Sequence, residues 1–323
     1  VNADTFTPDI SAYENAIDEN TILIVGSAPS YAHGVVDPIH EIAALAKSKN
    51  ILCHVDACVG GMYLPFAKRI GSDIPDFDFS VEGVTSISMD FHKYGYTAKG
   101  ASCILYKNKE LRKYQIYTCS EWSGYSIVNP TVLSSKTGGS LAACWANLHF
   151  LGSEGYEKIV RQTEFAKSKV VEAIKKSEDL ILLGNPIMNM IAFSSENVDL
   201  FSLVQKMREK GWYIQLQFKH GISPTNIHLS INQANVPHID EFISDLNESI
   251  HKIKSENINT SLPIPTELLA QLTPEMVNNL KEGLGVGDGE APQDLTLVNR
   301  ILDAAPPHIR DMILKEFVNG LYR

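Results

Sequence analysis

The sequence has few cysteines and no excess of positive charge. Its 323 residues include five cysteines without a CxxC pair, which favours a reducing compartment over a disulfide framework. Lysine and arginine total 28 against 38 acidic residues, a formal charge of −10. Because nucleic-acid-binding proteins usually carry a basic face, this balance argues against a nucleic-acid partner. The ten histidines form no HExxH or other paired-ligand pattern, so we expect no metal site.

Membrane-spanning runs and an export signal are also missing. The uncharged stretch 137–153 comes nearest to a span, but it contains Asn147 and His149 and predicts a buried helix. The first residues, VNADTFTPDI, lack the basic start and apolar stretch of a secretory signal. We expect a cytoplasmic or otherwise soluble protein, with a membrane anchor or an export signal upstream of Val1 left open. The absence of a starting methionine indicates a mature or fragmentary chain.

Strand and helix patterns alternate through the first part of the sequence. β-branched runs at 21–26, 51–55 and 84–89 and a strand pattern at 101–106 are interspersed with helical spacing at 38–49. This order predicts an α/β fold with a mostly parallel sheet. A long helical stretch from residue 140 to about 176, followed by shorter strands and helices, is typical of a bridge to a smaller α+β domain. We therefore predict divisions 1–140, 141–255 and 256–323, the last a helical tail.

Two polar phrases stand where predicted strands end, which is where parallel sheets collect their ligands. HVDACVGG places Asp56 there, as a ligand-binding carboxylate or as a turn or helix cap. SMDFHKYGYTAKG places Lys93 at another strand end, where a lone lysine is usually solvated. In a partly dry pocket a lysine has a lowered pKa and forms Schiff bases, while an aspartate keeps a pyridine nitrogen protonated. Together the two residues indicate pyridoxal 5'-phosphate as the cofactor.

These phrases, with VGSAPSYAHG before them and GVTSIS between them, resemble the sphingosine-1-phosphate lyases of the group II pyridoxal phosphate-dependent decarboxylase family. The resemblance covers about residues 1–250. It implies fold type I of the pyridoxal phosphate enzymes and a homodimer with its active site at the subunit interface. The phosphate-gripping loop and ring-stacking histidine that such enzymes carry upstream are not found here. The resemblance therefore implies that 1–140 is the C-terminal part of the large domain and that an N-terminal segment of the same polypeptide is missing.

The resemblance also assigns roles to individual residues around the cofactor. It implies that Lys93 is the Schiff-base lysine, that Asp56 is the partner of the pyridine nitrogen, and that His92 helps to hold the cofactor phosphate. Lys99 resembles a second lysine near the reacting centre, where it steadies an anion or shuttles a proton; a solvated turn lysine is the alternative. His33 resembles a histidine near the cofactor, or else it stabilises its own loop.

Four further positions are assigned, with a structural alternative for each. Cys58 resembles a small residue packed on the cofactor ring, where packing is its main role. Ser134, Ser135 and Gly138 resemble a segment that carries serines and glycines toward the partner's cofactor phosphate. A helix N-cap followed by a glycine turn would give the same letters.

The activity that the resemblance implies is retro-aldol cleavage of sphingosine-1-phosphate, or another phosphorylated sphingoid base, to a fatty aldehyde and phosphoethanolamine. One alternative is an amino-acid decarboxylase of the same family, which would use the same Lys93 and Asp56 and release carbon dioxide. The other is a non-catalytic interaction protein on a retained enzyme fold. Analysis of the products distinguishes the lyase from the decarboxylase. Cofactor absorbance tests the non-catalytic alternative.

Overall fold

The computed structural model describes residues 1–133, 135–256, 260–262, 265–273, 275–277 and 294–320. The chain forms two compact units whose segments interleave along the sequence. The first unit comprises residues 1–168, 183–191 and 230–236, and the second comprises 169–182, 192–229 and the chain from 237 onward. The divisions predicted at residues 140 and 255 stay a prediction.

The first unit is built on a four-stranded sheet with strand order β1-β2-β3-β4. The first three strands are parallel and the fourth is antiparallel to its neighbour, which confirms the mostly parallel sheet. The strands are β1 (Leu23–Ser27), β2 (Leu52–Asp56), β3 (Ser86–Asp90) and β4 (Ser102–Tyr106). The carboxyl ends of β2 and β3 therefore lie side by side at one edge of the sheet, with Asp56 opposite Ser88.

Helices cover one face of this sheet. In α2 (Ile39–Ser48), the buried residues Ile39, Ile42 and Ala46 recur at the three- and four-residue spacing of one helix face. They join a core that includes the inward side chains of β1 and β2. The other helices that begin in this unit are α1 (Ile10–Ala16), α3 (Leu64–Arg69), α4 (Lys109–Arg112) and α5 (Gly138–Lys176).

Among the described residues, the opposite face of the sheet is left partly exposed. Leu23, Val25 and Leu52 alternate with buried residues along β1 and β2, and each keeps 42% of its surface exposed. Sheets of mainly parallel strands are normally covered on both faces. Because side chains alternate along a strand, Asp56 lies on the same face as Leu52, so this face also carries the polar strand ends.

The expected buried helix at 137–153 is helical but not buried. α5 begins at Gly138 and is interrupted at Gly152, whose φ of 55° is in the left-handed region. Leu141, Trp145 and Phe150 are 66%, 66% and 85% exposed. The prediction of burial is wrong because an uncharged composition does not specify the surface that would cover it, and nothing in the described chain does. A hairpin of β5 (Tyr117–Cys119) and β6 (Ile127–Asn129) precedes the helix.

A second four-stranded sheet has strand order β7-β8-β10-β9. Its strands are β7 (Ile181–Leu183), β8 (Met190–Ser194), β9 (Gln215–Gln217) and β10 (Asn226–Ser230), and it is accompanied by α6 (Leu200–Glu209) and α7 (Ile239–Ser255). All five residues of β8 are buried, and β9 pairs antiparallel with β10. The α+β character predicted for this part of the sequence is therefore present.

The C-terminal tail has a small apolar core of its own within the second unit. Its described helices are α8 (Thr266–Leu269), α9 (Thr296–Ala304) and α10 (Pro307–Gly320). Asp303, at the end of α9, accepts hydrogen bonds from the backbone N–H of Lys219 at 2.7 Å and the Thr225 hydroxyl at 2.9 Å. The Arg310 guanidinium lies over the ring of Phe218. The tail thereby fixes both ends of the loop between β9 and β10.

Removing the Asp303 carboxylate tests this attachment. We expect Asp303→Ala to lower the free energy of unfolding by about 2–3 kcal/mol, because two hydrogen bonds to a buried charged group are lost. Chemical denaturation measures the change. The matched control is Asp311→Ala, an exposed aspartate on α10, which should stay within about 0.5 kcal/mol of the wild type. Equal losses in the two variants would contradict the assigned role.

Candidate active site

The carboxylate of Asp56 is held in its ionised form where β2 ends. Its Oδ1 accepts hydrogen bonds from the backbone N–H of Cys58 at 3.0 Å and from the Ser88 hydroxyl at 3.1 Å. Burial raises the pKa of Asp56, but the hydrogen bonds from Cys58 and Ser88 outweigh it and the net direction is down. Asp56 is thus a hydrogen-bonded anion at neutral pH, as a partner of a protonated ring nitrogen must be.

A hydrogen-bonded chain on the open face of the sheet leads to Asp56. The Ser88 hydroxyl donates to Asp56, so its oxygen accepts from His54 Nε2 at 3.2 Å. His54 Nδ1 then accepts from the Ser86 hydroxyl at 2.8 Å. Burial lowers the pKa of His54, although the Asp56 charge opposes this, which favours the neutral imidazole that the chain requires.

His54 was missed as a site residue by sequence reasoning. The signal was available, because residues two apart in a strand share a face, and His54 precedes Asp56 by two positions in HVD. The serines of SIS were equally visible in the sequence. The sequence does not show the register of β2 on β3, which places Ser86 opposite His54 and Ser88 opposite Asp56.

The amine of Lys93 lies between a carboxylate and a thiol. Nζ is 2.9 Å from Asp90 Oδ2 and donates to Cys58 Sγ at 3.0 Å. Burial lowers the pKa of Lys93, but the hydrogen bonds to Cys58 and Asp90 outweigh it, and the net direction is up. The lowered pKa expected from a dry pocket is therefore wrong here, because the end of β3 supplies the amine with an anionic partner.

Cys58 joins the two predicted cofactor residues. Its backbone N–H binds Asp56 and its sulfur accepts from Lys93, so both groups converge on a single residue. Burial raises the pKa of the Cys58 thiol, which keeps it neutral. An ionised carboxylate and a primary amine on neighbouring strand ends match the needs of pyridoxal phosphate, which binds an amine at its aldehyde and a carboxylate at its ring nitrogen. The residues present fit that group.

The turn that follows Lys93 is tightly fixed. The carbonyl oxygen of Gly95 accepts from the Tyr156 hydroxyl at 2.9 Å and from Asn147 Nδ2 at 2.6 Å. A Cβ at Gly95 would lie 2.4 Å from the carbonyl oxygen of Phe91, so the position admits no side chain without a backbone shift. The next residue, Tyr96, has a φ of 57°. These constraints limit how far the Lys93 backbone can move.

His92 has both ring nitrogens directed at nearby oxygens. Nδ1 donates to the carbonyl of Ala101 at 2.9 Å, and Nε2 is 3.6 Å from Asp90 Oδ2. His92 thus belongs to the same group as Lys93 and Asp90. Its assignment to the cofactor phosphate stays a prediction.

The remaining predicted residues lie elsewhere on the first unit. His33 is buried and stacks on Phe6 with 4.0 Å between ring centroids, which favours the loop-stabilising alternative. Lys99 is exposed in the turn before β4, Ser135 is exposed, and Gly138 begins α5. Within the described chain, no hydrogen bond or ion pair joins these last three residues to Lys93 or Asp56. Ser134 lies outside the described residues.

Among the described residues, no group of three or more His, Cys, Asp or Glu side chains is arranged to hold a metal ion. No helix of the described part is both long and apolar enough to cross a membrane.

The geometry of the site defines a class of protein: a lysine and an ionised aspartate at neighbouring strand ends of an α/β sheet are the pair used by pyridoxal phosphate enzymes. The model of the pyridoxal-dependent decarboxylase conserved domain matches residues 11–196, and the chain belongs to this family. The predicted fold type I architecture is confirmed. A second model, described as the C-terminal putative HTH domain of pyridoxal-dependent enzymes, matches 263–320.

The chain is also similar to individual proteins with more specific names than the family. The chain is 42% identical over 250 residues to sphingosine-1-phosphate lyase of Arabidopsis thaliana, covering 77% of this chain and 45% of the relative. It is 34% identical over 248 residues to a probable L-aspartate decarboxylase of Pyrococcus abyssi, covering 75% and 62%. The solved sphingosine-1-phosphate lyase of Burkholderia pseudomallei matches with a TM-score of 0.75 at 33% identity, covering 79% and 58%. The chain thus spans less than half the length of the plant relative.

The hydrogen-bonded chain to Asp56 generates a prediction about its ionisation. We expect Ser88→Ala to raise the pKa of Asp56, because one of the hydrogen bonds that stabilise the anion is removed. Carbon-13 NMR of the carboxyl group measures this titration. Ser88→Ala should also have a lower free energy of unfolding than the wild type at neutral pH. This difference should disappear as the pH falls through the folded-state pKa of Asp56.

The matched control is Ser86→Ala, which removes a hydroxyl bound to His54 and not to Asp56. Its effect on the Asp56 titration should be smaller. A shift of equal size in the two variants would show that the hydrogen bond from Ser88 does not set the Asp56 pKa.

Proposed function

We propose that this chain forms part of a pyridoxal phosphate-dependent lyase that cleaves a phosphorylated long-chain base to a fatty aldehyde and phosphoethanolamine. The observation that carries the proposal is the meeting of Lys93 and ionised Asp56 at Cys58. The similarity to sphingosine-1-phosphate lyases from a plant and a bacterium supports the choice of substrate.

When bound, pyridoxal phosphate supplies an aldehyde that condenses with amines and a protonated ring that accepts an electron pair. Lys93 provides the protein's amine for that aldehyde. Asp56 holds a proton at the ring nitrogen, and Ser88 and His54 hold Asp56 in place and keep it ionised. Cys58 fixes the spacing between Lys93 and Asp56 because it contacts both residues.

Further residues complete the proposal. His92 binds the cofactor phosphate, whereas Ser135 and Gly138, just before and at the start of α5, contact the cofactor phosphate of the partner subunit. Lys99 steadies the anion or moves a proton at the reacting centre. Its exposed position in a turn leaves its amine accessible to an incoming substrate. His33 acts on the site through the loop that it packs.

Amino-acid decarboxylation is a second candidate, favoured by the similarity to the probable L-aspartate decarboxylase. Lys93 and Asp56 would serve both reactions in the same way, since each needs an amine for the aldehyde and an electron-accepting ring. The products differ, because only the lyase yields an aldehyde from a phosphorylated amino alcohol. A non-catalytic scaffold is disfavoured, because it gains nothing from a partly buried amine and carboxylate that are costly to desolvate.

We further propose that the open sheet face is covered by another segment of the same polypeptide. Leu23, Val25 and Leu52 are apolar and exposed there, beside the polar residues of the site. The match covers less than half of the plant relative, so that relative has further residues available to form such a layer. A covering layer would also exclude water from Asp56 and His54, which strengthens their electrostatic interactions.

A second apolar surface favours a homodimer. We call it the apolar band; it lies on the β5–β6 hairpin and the first half of α5. Its members are aromatic or aliphatic side chains between 46% and 85% exposed: Tyr117, Trp122, Tyr125, Val128, Leu141, Trp145 and Phe150. Apolar patches of this kind mark interfaces in soluble proteins. The predicted phosphate contacts at Ser135 and Gly138 lie within the same stretch of sequence.

The lyase proposal predicts a product and its loss. The protein that carries this chain, supplied with pyridoxal phosphate and sphingosine-1-phosphate, should release a fatty aldehyde, measured by mass spectrometry. Lys93→Ala should abolish this release together with the absorbance band of the lysine-bound cofactor, because the amine that binds the aldehyde is removed. Lys49→Ala, at an exposed lysine paired with Glu14, is the control and should retain activity. Undiminished aldehyde release by Lys93→Ala would reject the proposal, and carbon dioxide release from amino acids would favour the second candidate.

The dimer proposal predicts dissociation when charge enters the apolar band. Trp145→Glu and Phe150→Glu should each shift the protein from dimer to monomer in sedimentation experiments, because a buried, unpaired carboxylate is unfavourable. Tyr213→Glu, at a 90% exposed aromatic of the second unit, should leave the mass unchanged. A dimer that survives both band substitutions would place the interface elsewhere.

A further inference from the structure

We propose that Asp90 is a positioning residue for Lys93: its carboxylate anchors the ammonium form of Lys93 at the end of β3 and thereby controls when the amine is available as a nucleophile. This inference rests on the proposed role of Lys93. Neither the sequence motifs nor the comparisons with relatives assign Asp90 a function.

Backbone hydrogen bonds fix the position of Asp90. It is the last residue of β3, paired with Ser102 of β4, and its backbone N–H donates to the carbonyl of Cys58 at 3.2 Å. The N–H of Lys93 lies 3.4 Å from the Asp90 carbonyl, which closes a turn between the two residues. The carboxylate and the amine are therefore brought together by backbone as well as by charge.

The side-chain contacts are those of a partly buried ion pair. Asp90 Oδ2 is 2.9 Å from Lys93 Nζ and 3.6 Å from His92 Nε2. The Asp90 side chain is 15% exposed and that of Lys93 is 32% exposed, so solvent screens the pair less than it would at the surface. One carboxylate thus holds two neighbouring residues that the proposed function assigns to the cofactor.

Other titratable groups lie near the ion pair of Asp90 and Lys93. Cys58 approaches Lys93 from the turn after β2, where burial raises the pKa of its thiol and keeps it neutral. Cys103 approaches Asp90 from β4, and burial raises its pKa as well. Asp56 acts on Cys58 at the end of β2. Asp90 is consequently the anion at ion-pair distance from Nζ.

The chemical consequence concerns the proton on Nζ. An ammonium has no lone pair, so Lys93 reacts with an aldehyde only after it loses a proton. A substrate ammonium that took the place of Lys93 at the aldehyde would give up two N–H protons, and the released lysine would gain two, so the count balances with Lys93 as an ammonium. Asp90 stabilises Lys93 in that released, protonated state and holds it where it can return.

The test measures the amine directly, without cofactor or substrate. The protein that carries this chain and its Asp90→Asn variant, both free of cofactor, are labelled with trace acetic anhydride over a range of alkaline pH, and acetylation of each lysine is followed by mass spectrometry. Removing an opposite charge at this distance lowers a lysine pKa by about one unit or more. We therefore expect Lys93 of Asp90→Asn to react about ten-fold faster than in the wild type below its titration midpoint.

Lys167 provides a control within the same molecule. It forms a similar ion pair with Glu164 at 2.7 Å and is 14% exposed, and its labelling should not change in Asp90→Asn. Asp90→Glu, which keeps the charge, should restore a profile close to that of the wild type. A merely structural role for Asp90 would alter Lys167 together with Lys93, or neither residue.

Unchanged labelling of Lys93 in Asp90→Asn, with Lys167 also unchanged, would overturn the inference. If Asp90→Asn fails to fold, which rapid labelling of Lys167 would reveal, the wild-type chain decides: a Lys93 midpoint at or below the ordinary lysine value of about 10.4 would overturn the inference, and a midpoint above it would support it. Because no turnover is measured, failure of the lyase assay leaves this result unaffected.

Discussion

The parallel register of β2 on β3 is the constraint on which the candidate site depends. It sets His54 opposite Ser86 and Asp56 opposite Ser88, so one sheet face receives the whole hydrogen-bonded chain. A slip of one residue would turn every side chain of one strand to the other face. Asp56 would then enter the apolar core formed with α2, and the anion would lose the hydroxyl that stabilises it. The geometry of the site is thus decided by strand pairing before any side chain adopts its rotamer.

Lys93 shows how a local environment reverses a general expectation. Partial burial alone would favour the neutral amine, yet Asp90 and Cys58 stabilise the charged form. The difference arises because β3 ends in an aspartate three residues before the lysine, and the intervening turn brings the two together. In SMDFHK both residues are visible, but their contact depends on a turn geometry that spacing alone does not define.

The sequence was sufficient for the sheet and for the identity of its polar ends. β-branched runs located β1 to β3 to within two residues, and strand-end logic singled out Asp56 and Lys93. Cross-strand partners were not predictable, because Ser86, Ser88 and His54 are assigned only by register. The exposure of Trp145 and Phe150 was also missed, since an apolar helix indicates a covered surface without saying which chain covers it. Local pattern therefore predicted elements, and non-local pairing decided the site.

The attachment of Asp303 to the loop between β9 and β10 has a consequence for the order of folding. Asp303 follows Thr225 by 78 positions and Lys219 by 84, so these contacts are among the more distant in the sequence. During synthesis the loop leaves the ribosome long before the residue that pins it, and closing so long a segment carries an entropic cost. The two hydrogen bonds from this loop to Asp303 can therefore form only after α9 has been synthesised.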